Sequence, residues 1–489
     1  MIKLSPIMLV GTGSDVGKSL LAAGLCRILK KDGYNPAPFK AQNMALNSYA
    51  TPEGKEIGRA QAVQAEAAGI EAHSDMNPIL LKPSGELTSQ VILNGVPAGN
   101  RDAYQYFRRD GKEELRMIAH EAYDRLASRF NPIVLEGAGS IAELNLKDGD
   151  IVNMSMAEYA KANVILVADI DRGGVFASVY GSIMLLSEHE RKLIKGIIIN
   201  KFRGDLRLFE EGRKIIEEIT GKPVLGVVPM ATHFHIDEED SVALAGKQNI
   251  SCADKVNVAV VLLKHISNFT DFNRLEKHTS VNLYYARHPE EIDDADIVIV
   301  PGSKNTISDL LNLRKTGMGK AIQRAAGNGK TVLGICGGYQ MLGAEVSDPD
   351  GVEGEPTALP GLGLLPVKTV ITGEKTTRQV KFRFLDDERE CRGYEIHMGQ
   401  TSTAKTFNIL DDGTNEGCME SPKCFGSYIH GILDNDAVVD YILSPYLHAS
   451  EKEKMNWKDY KNHQYDLLAA WLRKHVDIEK IYRIMESDD

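Results

Sequence analysis

Short apolar runs alternate with amphipathic helical segments along both halves of the chain. The strand-like runs are 7–10, 36–39, 133–135, 164–170, 197–199 and 224–228 in the first half, and 256–263, 297–300, 332–335, 393–396 and 425–429 in the second. Strands that alternate with helices are typical of parallel sheets with crossover helices. The pattern predicts an α/β fold in which each half forms a mostly parallel sheet flanked by helices.

The two series of strands are separated by a polar segment that is poor in aromatic residues. A chain of 489 residues is also longer than one hydrophobic core usually serves. We therefore predict two domains, 1–235 and 256–489, joined by a linker at 236–255.

The composition excludes some classes of partner but does not indicate a function. With 43% hydrophobic and 26% charged residues the chain is ordinary globular material, and its net charge of -11 argues against a nucleic-acid partner. No apolar stretch approaches the length of a membrane span, and the six cysteines have no C-x-x-C spacing. We expect a protein of the reducing cytoplasm with no membrane partner, and the sequence leaves its oligomeric state open.

The clearest motif is G-T-G-S-D-V-G-K-S at 11–19, between a strand and the helix predicted at 20–31. Its glycines let backbone N–H groups approach phosphate, the lysine can reach the outer phosphates, and the final serine suits Mg²⁺. A glycine-rich turn with an incidental Lys-Ser is the alternative, which the flanking strand and helix disfavour. The predicted ATP-binding residues here are Gly11, Thr12, Gly13, Val16, Gly17, Lys18 and Ser19.

Polar residues follow several later strands, where open α/β sheets bind ligands. Glu136 ends one strand and is placed to hold Mg²⁺ directly or through water, although a plain strand-end carboxylate is the alternative. Asp148 and Asp150 lie on a loop that could face the same cleft or form a solvated turn. Arg172 stands at the end of another strand, and we group it with these aspartates as a candidate substrate-binding residue.

Amides and a second lysine occupy two further strand ends. Lys40 could face phosphate or a substrate carboxylate, and Gln42 and Asn43 could bind the same groups; a polar loop is the open alternative. Asn200 could read a purine edge through paired amide hydrogen bonds. We assign Lys40 and Asn200 to the cofactor site, and Gln42 and Asn43 to the substrate.

The second half contains T-V-L-G-I-C-G-G-Y-Q-M-L at 331–342, which predicts a strand, a sharp turn and a helix with Cys336 at the turn. A thiol on such an elbow is raised clear of the sheet beside free backbone N–H groups. A buried structural cysteine is the alternative. Gly302 ends an earlier strand and His430 ends a later one, so an oxyanion site and a general base are both available, and the set favours a catalytic thiol.

Residues 297–302, 334–342 and 425–431 resemble the class I glutamine amidotransferase domain. The phosphate loop, with five residues between Gly11 and Gly17, resembles the dethiobiotin synthetase branch of P-loop proteins. With F-K-A-Q-N-M-A-L-N-S, D-I-D-R-G-G-V-F-A-S, N-K-F-R-G-D, H-I-S-N-F-T-D-F-N-R-L, P-G-S-K-N-T and G-Y-E-I-H-M-G-Q-T, the whole chain resembles the cobyric acid synthase family of cobalamin biosynthesis.

The resemblance implies an amidoligase that takes ammonia from L-glutamine and uses ATP and Mg²⁺. Its small-molecule substrate would be a corrinoid, amidated at the b, d, e and g carboxylates of adenosylcobyrinic acid a,c-diamide. It implies that Cys336 and His430 are catalytic, and that the glutamine and its oxyanion meet Gly302, Gly337, Gly338 and Gln340.

One position departs from the amidotransferase pattern. Many of these domains carry Glu two residues after the histidine, whereas this chain has Ile432 there. Asp434 is the nearest downstream carboxylate, so we predict a Cys-His dyad and leave an orienting role for Asp434 open.

Two rival functions remain. Cobyrinic acid a,c-diamide synthase performs the same chemistry on other carboxylates, but its expected K-V-G-P-D-Y is absent from 40–46. A partition-type P-loop ATPase switch would explain the phosphate loop but neither Cys336 nor His430.

Overall fold

The computed structural model describes residues 3–83, 88–102, 112–231, 233–237, 251–447 and 455–487. The chain forms two compact units, and each unit includes a segment from the opposite half of the chain. The first comprises Met1–Met44, Ile57–Ile236 and Lys458–Asp489, and the second comprises Ala45–Glu56 and Asp237–Trp457. The units thus differ from a simple division into 1–235 and 256–489. Most of the predicted linker, at 238–250, lies outside the described residues.

The first unit is built on a six-stranded parallel sheet. In spatial order its strands are Val224–Pro229, Ile194–Phe202, Asn163–Asp169, Ile7–Gly11, Ile133–Glu136 and Ala37–Phe39. The strand Ile7–Gly11 lies inside the sheet and is buried at every residue, which is typical of a parallel strand covered on both faces. All six hydrophobic runs of this half form strands of one sheet, as predicted.

Helices and a smaller sheet complete the first unit. The helices are Lys18–Lys31, Arg59–Ala68, Lys112–Ala127, Met154–Ala160, Val175–Met184, Glu188–Leu193, Glu210–Thr220, Trp457–His475 and Ile478–Glu486, with 3-10 turns at Ser74–Met76, Lys147–Gly149 and Leu206–Phe209. The smaller sheet has strands Gln42–Met44, Ile79–Pro83, Thr88–Leu93 and Val96–Asp102. In the described part of the chain no helix combines the length and apolar character that a bilayer crossing needs.

The two C-terminal helices pack in the core of the first unit. Leu468 and Leu472 belong to the same buried cluster as the helix that follows the phosphate loop. Gly24 on that helix permits the close approach, because a Cβ there would lie 2.1 Å from Cδ1 of Leu472. The chain therefore ends in the unit in which it begins.

The second unit contains a six-stranded sheet with one antiparallel edge. Its strands in spatial order are Val281–Ala286, Val256–Val261, Ile297–Val300, Thr331–Ile335, Cys424–Ser427 and Cys418–Ser421, the last of them antiparallel. The helices of this unit are Asn273–Lys277, Thr306–Lys315, Met318–Gly327, Gly337–Leu342 and Asp436–Leu443, with 3-10 turns at Phe269–Phe272, Pro289–Ile292 and Ile432–Asp434.

One strand that we predicted for the parallel sheet lies instead in a second sheet of this unit. The run at 393–396 lies in Cys391–Ser402, which pairs antiparallel with Lys368–Phe384 and is not part of the parallel sheet. The connection between these two strands is too short for a crossover helix, so a hairpin is the available geometry. The other strands of this sheet are Thr357–Pro360, Glu345–Asp348, Asn408–Leu410 and Asn415–Glu416.

The segment Ala45–Glu56, which we call the strap, belongs to the second unit although it comes from the first half of the chain. Its strand Ser48–Ala50 forms a two-stranded sheet with Glu56–Gly58, a strand that begins at the last residue of the strap. The strap packs Ala50 against Tyr394 and Ile396 of the long antiparallel strand.

Candidate active sites

The phosphate loop leaves its strand at Gly11 and enters the helix Lys18–Lys31. Gly17 has φ +96°, and a Cβ there would lie 2.1 Å from Nδ2 of Asn200, so the position requires glycine. That same nitrogen donates a 2.8 Å hydrogen bond to the carbonyl of Val16. The amide of Asn200 thus supports the loop, and its contact with a purine stays a prediction.

Lys18 is buried and folded back over the loop. Its Nζ donates to the carbonyl oxygens of Gly13, at 2.9 Å, and Gly139, at 3.1 Å. Burial lowers the pKa of Lys18 to about 8, although the charge of Glu136 opposes the change. Two neutral carbonyls are weaker partners for an ammonium than an anionic phosphate, so a bound nucleotide can displace them. The backbone N–H of Thr12 donates to the carbonyl of Val167 on the strand Asn163–Asp169.

Glu136 is the centre of a buried polar cluster. One carboxylate oxygen accepts from Ser19 at 2.8 Å and from Lys40 at 2.9 Å, and the other accepts from Gln64 at 2.6 Å. Burial alone would favour the neutral acid, but Lys40 and the hydrogen bonds outweigh it and hold the pKa of Glu136 below its usual value. The carboxylate is therefore charged at neutral pH.

Ser19 and Glu136 fit a Mg²⁺ site in their chemistry, because a hydroxyl and a carboxylate are the oxygen ligands that this ion prefers. Among the described residues no group of three or more His, Cys, Asp or Glu is arranged to hold a metal ion. A Mg²⁺ at Ser19 and Glu136 would have to complete its coordination with nucleotide phosphate and water, which is its usual mode in ATP sites.

Beside the phosphate loop lies a cavity of about 470 Å³. Ser14, Gln42, Lys112 and the loop 138–154 line it, and both Asp148 and Asp150 belong to this lining. Asp150 also accepts hydrogen bonds from the backbone N–H groups of Val152 and Asn153 at 2.9 Å, so part of its role is structural. The cavity is large enough for one side chain of a bulky substrate.

The other two predicted substrate residues lie apart from this lining. Asn43 is buried and donates to the side-chain oxygen of Gln61 at 3.1 Å. Arg172 is exposed, and its guanidinium lies 3.6 Å from the carboxylate of Asp15 in the phosphate loop. The structure thus places Arg172 at the loop and Asn43 in a buried amide pair.

Cys336 stands on the predicted elbow of the second unit. The strand Thr331–Ile335 precedes it and the helix Gly337–Leu342 follows it. Its backbone has φ +50° and ψ -109°, a strained conformation for a residue with a side chain. Its sulfur lies 3.5 Å from the carbonyl oxygen of Ile396.

The two glycines after the cysteine allow the elbow to approach the end of the neighbouring strand. A Cβ on Gly338 would lie 1.8 Å from the carbonyl oxygen of Val300, and one on Gly337 would lie 2.8 Å from the backbone nitrogen of Ser303. A Cβ on Gly302 would lie 3.1 Å from Cε1 of His430. Gly302, Gly337 and His430 are therefore neighbours, as an oxyanion site requires, although that role stays a prediction.

His430 is buried and oriented by Asp271. Its Nδ1 lies 2.7 Å from Oδ2 of Asp271, whose Oδ1 accepts from the backbone N–H of Gly431 at 2.9 Å. Asp271 lies 159 residues upstream of the histidine. It occupies the place that we left open for Asp434, so the sequence-based dyad becomes a Cys-His-Asp arrangement.

The charges around His430 favour its protonated form. Burial by itself lowers the pKa of His430, but the carboxylate of Asp271 and the thiolate of Cys336 outweigh burial and raise it to about 10. Because Asp271 takes Nδ1, the nitrogen left for Cys336 is Nε2. The arrangement thus favours a protonated imidazole beside Cys336.

Gln340 lies buried one helical turn after Cys336. Its Oε1 accepts from the hydroxyl of Thr306 at 2.9 Å, and its Nε2 donates to the hydroxyl of Tyr428 at 3.2 Å. Its amide is thus held in a fixed orientation in the cysteine site, where the predicted contact with glutamine remains to be tested.

Sequence reasoning missed two residues of these sites. Asp271 lies in the string H-I-S-N-F-T-D-F-N-R-L, and Gln64 lies in the alanine-rich helix Arg59–Ala68; neither residue has a predicted role in the sequence. The available signal for Gln64 was a polar residue on a helix otherwise rich in alanine. For Asp271 no local pattern distinguishes it from other carboxylates.

Comparison with known families agrees with this arrangement. Residues 7–242 match the family described as the CobQ/CobB/MinD/ParA nucleotide binding domain, and residues 257–438 match the CobB/CobQ-like glutamine amidotransferase domain. The fold and the two sites thus define a protein that combines a nucleotide-binding domain with a glutamine amidotransferase domain.

Relatives that are similar over the whole chain identify the family more narrowly. A cobyric acid synthase of Phocaeicola vulgatus is 60% identical and one of Bacteroides fragilis is 61% identical, each over 99% of both chains. One of Syntrophobacter fumaroxidans is 48% identical over 98% of both. The chain belongs to the cobyric acid synthase family, which confirms the resemblance seen in its motifs.

Proposed function

We propose that this protein uses ATP and glutamine to amidate the b, d, e and g side-chain carboxylates of adenosylcobyrinic acid a,c-diamide. The observation that carries the proposal is the presence in one chain of Cys336 with His430 and Asp271, and of a phosphate loop with Lys18 and Ser19. The name of the relatives supports a corrinoid as the substrate.

In the glutaminase half-reaction the thiolate of Cys336 attacks the carboxamide carbon of glutamine. The carbon–nitrogen bond breaks as His430 gives its proton to the nitrogen, which leaves as ammonia. Water then attacks the thioester, His430 accepts a proton from that water, and glutamate leaves. Asp271 holds the imidazole during both transfers, and the N–H groups of Gly302 and Gly337 serve the oxyanion.

The synthetase half-reaction needs ATP because a carboxylate has no good leaving group. A corrinoid carboxylate attacks the γ-phosphate, ADP leaves, and an acyl phosphate results. Ammonia then attacks the acyl carbon and phosphate leaves. Lys18 and the loop amides stabilise charge on the transferred phosphoryl group. Mg²⁺, held by Ser19 and Glu136, would neutralise phosphate charge.

Two substitutions separate the half-reactions. Cys336→Ala should abolish glutamine-driven amidation and leave ammonia-driven amidation largely intact, because the nucleophile serves only glutamine. Lys18→Ala should reduce both by at least about 100-fold, since both need transfer from ATP. Amidated product measured by mass spectrometry with each nitrogen donor provides the test. Equal loss of ammonia-driven turnover in folded Cys336→Ala protein would contradict the assigned division of labour.

The positions that are amidated test the substrate. NMR of the product from adenosylcobyrinic acid a,c-diamide should locate new amides at b, d, e and g. Amidation of cobyrinic acid at a and c instead would show that the protein is the related a,c-diamide synthase.

A further inference from the structure

The strap forms a closed set of buried hydrogen bonds with two residues of the second unit. The backbone N–H of Ser48 donates to Oδ1 of Asn268 at 3.1 Å. The hydroxyl of Tyr394 donates to the carbonyl of Ser48 at 3.4 Å and accepts from Nδ2 of Asn268 at 3.3 Å. One residue of the strap thus contacts both Asn268 and Tyr394 through its main chain.

Further contacts fix the strap in place. The side chain of Gln379 donates to the hydroxyl of Tyr49 at 3.0 Å and to the carbonyl of Ala50 at 3.1 Å. Glu56 forms an ion pair with Lys375 in which both side chains are almost fully buried. Because a charge left buried without its partner would be costly, substitution of either residue should weaken this contact.

Tyr394 contacts the catalytic histidine directly. Its ring stacks on the imidazole of His430 with centroids 5.4 Å apart and planes 25° apart. The two residues also exchange backbone hydrogen bonds of 3.0 and 2.8 Å. A shift of Tyr394 must therefore move His430.

Asn268 controls the other partner of His430. It has φ +52° and immediately precedes the 3-10 turn Phe269–Phe272, which carries Asp271. The carbonyl of Asn268 also accepts from the backbone N–H of Asp271 at 3.0 Å, so a shift of Asn268 is transmitted to Asp271 through the main chain.

From these contacts we propose that the strap is a positioning element of the glutaminase centre, acting through Asn268 and Tyr394 on the pair formed by Asp271 and His430. The proposal rests on the glutaminase half of the proposed function. A segment from the first half of the chain is then needed to set the general acid of the second unit. Neither Asn268 nor Tyr394 takes part in bond making, so both are positioning residues.

Substitutions at Asn268 test the proposal in the full-length protein. Asn268→Gly keeps the left-handed backbone accessible but removes both side-chain hydrogen bonds, and kcat for glutamine hydrolysis should fall about tenfold with KM changed less than about twofold. Asn268→Asp retains an acceptor for the N–H of Ser48, so it should restore part of the loss, to about threefold.

Tyr394→Phe tests the hydrogen bonds that the hydroxyl of Tyr394 makes with Ser48 and Asn268. It retains the ring that stacks on His430 and removes the hydroxyl that faces the strap, so kcat should fall about threefold. Arg392→Ala, on the same strand but in an exposed pair with Glu390, is the matched control and should leave kcat unchanged.

A positioning role also predicts a change in the reactivity of Cys336. The rate at which iodoacetamide alkylates Cys336, followed by mass spectrometry of its peptide across pH, should fall in Asn268→Gly, because a displaced His430 stabilises the thiolate less well. Ammonia-driven amidation should change little, and the melting temperature should fall only by the few degrees that the lost hydrogen bonds of Asn268 account for.

Two outcomes would overturn the proposal. One is an Asn268→Gly protein with wild-type kcat and wild-type alkylation of Cys336. The other is a parallel loss of glutamine hydrolysis, ammonia-driven amidation and thermal stability, which would make the strap a general structural element. Absence of ammonia-driven amidation in the wild type would instead contradict the proposed function, and glutamine hydrolysis would still report on the strap.

Discussion

At the scale of single residues, the carboxylate of Asp271 determines how His430 can act. It accepts from Nδ1 of the imidazole and from the backbone N–H of Gly431, so it fixes both the ring and the chain beside it. The imidazole therefore presents Nε2 to Cys336, and its positive charge is stabilised from the opposite side. The same logic applies in other catalytic triads, where the acid orients the histidine without giving up its own charge.

Replacement of Asp271 should reveal this role. In Asp271→Asn the amide no longer stabilises the imidazolium, so the pKa of His430 falls from its raised value near 10. Protonated His430 is then lost at lower pH, and the alkaline limb of the glutaminase rate should move to lower pH. We expect kcat at neutral pH to fall about 100-fold, measured by release of glutamate.

Asp434→Asn is the matched control for this experiment, because Asp434 is nearby in sequence but is not the partner of Nδ1. It should reduce kcat far less than Asp271→Asn does. Equal losses in the two variants, or an unchanged pH profile in Asp271→Asn, would contradict the assignment of Asp271.

At the scale of elements, the elbow works because a strand end and a helix start approach more closely than side chains allow. The carbonyl of Val300, at the end of the neighbouring strand, lies where a Cβ of Gly338 would stand. The residues that follow this strand, Pro301 and Gly302, are thereby held beside the elbow that carries Cys336. The glycines of this motif thus serve packing between elements as well as the turn itself.

Gly338→Ala should for this reason disable the glutaminase site. The added methyl would lie 1.8 Å from a backbone oxygen that cannot rotate away, so the elbow or the loop must shift. We expect a loss of stability of about 1–3 kcal/mol from overpacking and a loss of most glutaminase activity, with ammonia-driven amidation largely retained. Thermal denaturation and glutamate release measure the two effects.

Gly327→Ala provides the comparison. Gly327 ends the helix Met318–Gly327, and in the described structure a Cβ there would meet no atom within 4 Å. It should leave both stability and activity near wild type. A Gly338→Ala protein as active as Gly327→Ala would show that the close approach is not required.

At the scale of the whole molecule, two segments belong to the unit formed mainly by the other half of the chain. The strap belongs to the second unit, and the last two helices belong to the first. Tyr465, Leu468 and Leu472 of those helices are almost fully buried in the core that contains the phosphate-loop helix. The first unit is consequently incomplete without the C-terminus of the chain.

Deletion of 458–489 should therefore unfold the first unit. Several large side chains would leave its core, at about 1.5–3 kcal/mol each, and the sum is comparable to the whole stability of a domain. In calorimetry we expect the full-length protein to show a transition that ATP stabilises and the truncated protein to lack it. A chain that ends at Ser487 is the control, and an ATP-sensitive transition in the truncated protein would contradict the prediction.

The sequence by itself determined the features that depend on neighbouring residues. Apolar runs identified the strands of the first parallel sheet and four of the six strands of the sheet that carries Cys336. The glycine pattern identified the phosphate loop, and a strand followed by Cys336 and two glycines identified the elbow. Strand ends of a parallel sheet meet at one edge, so the approach of Gly302 and His430 to the cysteine could also be predicted.

Only the tertiary structure decided which distant residues complete the sites. Asp271 contacts His430 although 159 residues separate them, and Gln64 donates to Glu136 from an alanine-rich helix. The strap and the C-terminal helices each belong to the unit formed mainly by the other half of the chain. Local patterns determine local conformation, whereas these pairings depend on how complete elements pack. Contacts between distant residues contribute free energy only after the chain between those residues has been ordered. A short stretch of sequence therefore does not predict them.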